Sequence, residues 1–89
     1  MDLEKLKYDL KAMIIDECEK EDIKPEDIDN EVELFSDKSG LELDSLDGLT
    51  ISMALQKQYG LRIGDPKAFR RILTTTSALA EYIQNENNG

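Results

Sequence analysis

Histidine is absent from this chain, and so is tryptophan. Without histidine, a Ser-His-Asp or Cys-His nucleophile system cannot be built from its own residues, because the usual base near neutral pH is missing. Zinc sites that use histidine are excluded with it. Cys18 is the single cysteine, so no intrachain disulfide can form, and a reducing, cytoplasmic setting is expected. Its place in an apolar stripe reads as a buried structural thiol. The aromatic residues are Tyr8, Phe35, Tyr59, Phe69 and Tyr82, too few for a large aromatic binding box. Tyr8, Phe35, Tyr59 and Tyr82 read as core rings. No apolar run approaches about 18 residues, so no membrane insertion is expected. The opening segment lacks the basic and apolar regions of a signal peptide. Neither Asp27-Ile-Asp-Asn-Glu nor Asp37-Lys-Ser-Gly-Leu-Glu provides a calcium-binding loop with glycine sixth and glutamate twelfth. There is also no glycine loop for phosphate and no metal-ligand cluster, so an enzyme is the class with least support.

What is present is acidity, unevenly spread. The net charge is −9. Residues 1–44 carry 16 acidic and 6 basic side chains, whereas residues 45–89 carry 4 and 5. Such a chain does not suit nucleic acid, which needs clustered Lys and Arg, nor anionic membrane surfaces. Basic protein surfaces are natural partners, although acidity can equally serve solubility. With 89 residues, a single domain over 1–89 is expected.

Leu3, Leu6, Leu10, Met13, Ile14 and Cys18 recur in steps of three and four. They predict an amphipathic helix from Leu3 to Glu19, capped by Asp2, with Lys and Glu on the other face. Lys20 to Asp44 breaks the helical period at Pro25, Asn30, Ser36, Asp37, Ser39 and Gly40. Yet Ile23, Ile28, Val32, Leu34, Phe35, Leu41 and Leu43 run through it, so an ordered loop pinned to the core is expected. A second helix starts at Asp44-Ser45, with Asp44 as N-cap and Asp47 in the first turn, and ends at Tyr59-Gly60. Gly48 inside it costs about 1 kcal/mol relative to Ala. Asp65-Pro66 opens a short third helix to about Ile72. Residues 74–77 cap a fourth, which carries Leu79, Ala80, Tyr82 and Ile83, and Asn85 to Gly89 read as a frayed tail. The fold class is all-α, a small four-helix bundle with a long ordered loop between its first two helices.

Ser45 sits at a loop-to-helix junction. Its side chain should be exposed, with free N–H groups of the helix start around it. A phosphate on Ser45 would be favoured there by roughly 0.3–1 kcal/mol. With no base to activate it, Ser45 suits an acceptor of modification, or simply a first-turn polar residue.

Asp44-Ser45-Leu46-Asp47 resembles the Asp-Ser-Leu signature of acyl carrier proteins. Ile23-Lys-Pro-Glu-Asp-Ile28, Leu34-Phe35-Ser36-Asp37, the segment Met53 to Ile63, and Thr75, Leu79 and Tyr82-Ile83 are similar to successive parts of that family. The resemblance covers nearly the whole chain. It implies a right-handed bundle of three main helices and one short one. It implies that a phosphopantetheinyl transferase attaches 4′-phosphopantetheine from coenzyme A to Ser45. Cargo would then ride as a thioester, delivered to acyl-loading and acyl-processing enzymes of fatty acid, lipid or polyketide-type biosynthesis. Asp44 would meet the transferase or the arm, and Leu46 would pack beneath the attachment site. Leu49 and Met53 would meet partners or border the acyl pocket, or else pack in the core. Asp47, Thr50 and Lys57 would complete the partner face. A monomer is expected. The alternatives are an aminoacyl, aryl or peptidyl carrier, or an interaction module without the prosthetic group.

The chain departs from the family where partners dock. Its second helix reads Thr50, Gln56, Lys57 and Gln58 where the family is usually acidic. Its third reads Asp-Pro-Lys-Ala-Phe-Arg-Arg, after a connection about two residues longer. A specialised carrier with dedicated partners is expected, because charge complementarity sets encounter rate and specificity. Arg62, Lys67, Arg70 and Arg71 read as a solvated face, or as a contact for a partner or the arm's phosphate.

Overall fold

Asp2 opens the first helix by accepting a hydrogen bond from the Glu4 N–H at 3.0 Å. This structure, a computed structural model, describes residues 2–88. Helix α1 spans Leu3–Glu17, α2 Ser45–Tyr59, α3 Pro66–Ile72 and α4 Thr76–Asn88. Two short 3₁₀ turns, Pro25–Asp27 and Asp37–Ser39, lie in the long first loop. Among the described residues there is no strand, only one isolated antiparallel bridge between Glu33 and Thr75.

The first helix stops two residues before the expected Glu19. Glu19 adopts the left-handed region at φ 55°, and its N–H donates to the Asp16 carbonyl at 3.2 Å. The Lys20 N–H reaches back to the Ile15 carbonyl at 2.9 Å. That pair of bonds is a Schellman ending, a position normally held by glycine because a Cβ is strained there. Glu19→Gly is therefore expected to stabilise the fold by about 1 kcal/mol, read as a rise in Tm of about 4–8 °C. An unchanged or lower Tm would contradict this account of the turn. At the other end of the chain α4 continues through Asn88, beyond the expected frayed tail at Asn85. Residues 84–88 hold no glycine or proline to stop it; Gly89 lies outside the described residues.

The remaining boundaries follow from local chemistry. Gly60 takes φ 66° and closes α2, and the Asp65 carboxylate accepts from the Lys67 N–H at 3.0 Å to start α3 behind Pro66. At the start of α4 the Thr75 hydroxyl accepts from the Ala78 N–H at 3.0 Å.

Helix α1 packs against α4 and α2, and α3 against α4. Leu10 and Ile14 from α1, Ile51 and Leu55 from α2, and Leu79 and Ile83 from α4 fill the centre, all fully or almost fully buried. The long loop joins this core as expected, through buried Ile28, Leu34 and Leu41. It is also sewn to the α3–α4 connection. The Leu34 N–H donates to the Thr74 carbonyl at 2.9 Å, and the Ser77 N–H donates to the Asn30 carbonyl at 3.1 Å. Within the loop the Ser39 hydroxyl donates to the Leu34 carbonyl at 2.9 Å.

Three expectations about burial need correction. Lys11 is buried although it belongs to the charged set of α1; its Nζ donates to the Ile28 carbonyl at 3.0 Å, tying helix to loop. Tyr8 and Phe35 are exposed rather than core, and Tyr8 donates instead to the Glu26 carboxylate at 3.2 Å. Tyr59 and Tyr82 pack only partly against the core. Cys18 is half-buried, and burial foremost, then the Asp47 carboxylate, pushes its thiol up to about 11.

Candidate attachment site and docking face

Asp44 lies in extended backbone at φ −118°, and its carboxylate accepts from the Asp47 N–H at 2.9 Å. The Asp47 carboxylate accepts in return from the Asp44 N–H at 3.2 Å. This reciprocal capping box satisfies two donors that a helix start otherwise leaves open. Asp47 is further held by Lys20, whose Nζ lies 3.7 Å from its carboxylate. The end of α1 is thereby tied to the first turn of α2. Asp47, expected to face partners, is directed into this cap.

Ser45 is the first residue of α2, and its side chain is exposed. Neither capping bond uses its hydroxyl. Beside it runs an open groove of about 760 Å³ between α2, α3 and the long loop. Its walls include Ser45, Leu49, Ser52, Ile63, Phe69 and Arg70, with Glu33 and Phe35 on the loop side. One turn after Ser45, Gly48 is buried beneath two rings. A Cβ there would stand 3.5 Å from Phe69 and 3.7 Å from Phe35, whose centroids are 6.1 Å apart at 57°. The absence of a side chain at Gly48 lets that tilted pair lie close against α2, where both rings line the groove.

The outer face of α2 is apolar. Leu46, Leu49 and Met53 are 74%, 60% and 64% exposed. Leu46 therefore does not pack beneath the attachment site; at one position past Ser45 it points outward with Leu49, three residues on. Leu49 and Met53 are not core either. Thr50 is half-buried and its hydroxyl donates to the Leu46 carbonyl at 3.1 Å, while Lys57 is exposed at the far end of the helix. The structure thus brings Asp44, Ser45, Asp47 and Leu49 together at one end of α2, with Met53 and Lys57 along the same helix and away from the groove. It adds Gly48 and Phe69, which the sequence did not place at the site. Of the basic set Arg62, Lys67, Arg70 and Arg71, for which a contact with the arm's phosphate was one reading, Arg70 is the member that lines the groove. For the close approach of Phe69, Gly48 in a helix interior was the available signal, since such a glycine often marks close packing.

The chain matches the phosphopantetheine attachment site family over residues 9–83, a span that includes α2 and the whole groove. It is also similar to the acyl carrier protein of Buchnera aphidicola subsp. Acyrthosiphon pisum (strain 5A), 36% identical over 69 residues, covering 78% of this chain and 80% of that protein. The chain belongs to the acyl carrier protein family. Its cofactor is a covalently attached 4′-phosphopantetheine. When attached, that group supplies a thiol able to form thioesters. The residues present in this carrier protein fit such a group: an exposed hydroxyl stands at a capped helix start, where backbone N–H groups and the helix dipole favour a phosphate. An apolar groove opens directly beside it. Proteins of this kind interact with phosphopantetheinyl transferases and with acyl-processing enzymes. No helix among the described residues is long and apolar enough to cross a membrane.

Proposed function

We propose that Ser45 is the residue that bears the phosphopantetheine arm, and that the chain delivers acyl thioesters to partner enzymes in the cytoplasm without catalysing a reaction itself. The observation that carries this reading is the placement of an exposed Ser45 at the first turn of α2, beside the groove and outside the capping bonds. The chain lacks histidine, so it has no ordinary base to turn Ser45 into a nucleophile of its own. Its contribution is position: the Asp44–Asp47 box holds the helix start rigid, and the groove beside it offers apolar shelter to the arm or its cargo.

Leu46, Leu49 and Met53 form the docking ridge in this reading, with Thr50 and Lys57 beside it. Apolar anchors of this kind supply interface energy, and flanking charges set which partner approaches. The two carboxylates of residues 45–73, Asp47 and Asp65, are both used as caps, while Lys57, Arg62, Lys67, Arg70 and Arg71 are exposed. Such a face does not suit the basic docking surfaces that an acidic helix would serve. The pathway is therefore a specialised branch of fatty acid, lipid or polyketide-type biosynthesis.

One experiment tests both parts. A phosphopantetheinyl transferase given fluorescent coenzyme A should label the wild-type chain and leave Ser45→Ala dark. The acyl-loaded wild type should then turn over more slowly than a housekeeping carrier with standard fatty acid synthase enzymes. Labelling of Ser45→Ala would remove the attachment assignment, and equal turnover would remove the specialised role.

A further inference from the structure

The basic cluster of α3 and its approach does not act as one patch. Arg62 lines a separate hollow with Tyr59, Tyr82 and Glu86. Arg71 lies near enough to Tyr82, on α4, to influence its phenol. Arg70 alone belongs to the groove that contains Ser45, and it is the only cation among the residues that line it. Neither of the ion pairs found among the described residues engages it.

Two carboxylates share that groove. Asp44 is engaged in the cap of α2, and Glu33 lies on the long loop, bridged to Thr75 just past the end of α3. A phosphodiester on Ser45 would leave the start of α2 into a groove whose one cation is Arg70. Attraction to the guanidinium draws it toward α3. A guanidinium can also grip two phosphate oxygens at once, which a lysine cannot.

We propose that Arg70 is a positioning residue that binds the arm's phosphate and lays the arm along the α3 wall of the groove. This inference rests on the assignment of the arm to Ser45. It makes the groove's direction of use a property of the chain: the arm is led toward α3, over Phe69 and Ile63.

The test uses the isotope-labelled full chain in its unmodified and phosphopantetheinylated forms, observed by nuclear magnetic resonance. Intact mass and a Ser45→Ala control first establish that the arm is on Ser45. On modification, the Arg70 Nε–H resonance should shift while those of Arg62 and Arg71 stay in place. In Arg70→Ala the phosphorus line of the arm should narrow as the phosphate gains mobility, and contacts between the arm and Phe69 or Ile63 should be lost. Arg70→Lys should fall between, Lys67→Ala should match wild type, and added salt should reproduce part of the loss. Unshifted amide resonances elsewhere show that the variants remain folded. If the modified protein forms on Ser45 and neither the Arg70 resonance nor the phosphorus line changes, the positioning role is overturned alone. If the arm is absent or sits on another residue, the Ser45 assignment falls and this inference with it.

Discussion

Leu34→Ala is expected to lower the stability of the fold by about 2–5 kcal/mol, the range for emptying a buried leucine site. Leu34 belongs to the long loop, yet it is fully buried at 0% exposure. Its backbone bonds to Thr74 and Ser39 survive the substitution, so the loss comes from the cavity and the missing apolar contacts. A domain of this size holds only about 5–15 kcal/mol in all. The variant should therefore sit close to unfolding near body temperature. The neighbours Glu33 and Phe35 form the loop wall of the groove, so the damage reaches the site as well. Urea denaturation checks this through a lower midpoint at unchanged slope. A loss under about 1 kcal/mol would show that the loop is draped over the core rather than part of it.

The second large effect concerns the thiols. Cys18 is expected to alkylate about 100-fold more slowly at pH 8 in the folded chain than in the unfolded one, because the thiolate is the reacting form. Burial first, then the Asp47 carboxylate, raise the thiol from 9.0 to about 11, with Lys20 opposing. In the modified protein the arm's thiol should therefore react first and nearly alone, and Ser45→Ala should lose that fast phase while keeping the slow one. Equal rates for folded and unfolded Cys18 would contradict the burial. The same shift fixes a direction for stability. The folded chain holds the Cys18 proton more tightly than the unfolded chain, so this contribution is complete below about pH 9 and is lost as pH rises through about 11. Tyr59, raised mainly by burial, adds to the same alkaline loss.

Legibility in the sequence followed the range of the interactions. The start of α2 at Asp44-Ser45, the Asp65-Pro66 opening of α3 and the Gly60 ending of α2 depend on a few neighbouring residues, and each lies where the local pattern places it. The ordered loop was readable from its apolar residues, since a solvated linker would not carry Ile28, Leu34 and Leu41. The face of α2 was not readable in this way. Leu46, Leu49 and Met53 alternate with Ile51, Ala54 and Leu55, so an apolar count finds hydrophobic residues on both sides of the helix. Only the packing of the other helices shows which set is inside. Lys11 escaped because its long stem can cross an apolar surface and still bring the ammonium to the Ile28 carbonyl. The groove escaped because it depends on where α3 sets Phe69 and Arg70 against Gly48 and Ser45, residues far apart along the chain. Glu19 escaped because nothing local marks a glutamate for the left-handed region.

The most direct test of the carrier assignment is the intact mass of the chain after incubation with coenzyme A, magnesium and a broad-specificity phosphopantetheinyl transferase, followed by mass mapping of its proteolytic fragments. The expected result is one added phosphopantetheine on the fragment that contains Ser45, and no addition to Ser45→Ala. Addition to a different serine, or no addition with several transferases of different specificity, would contradict it.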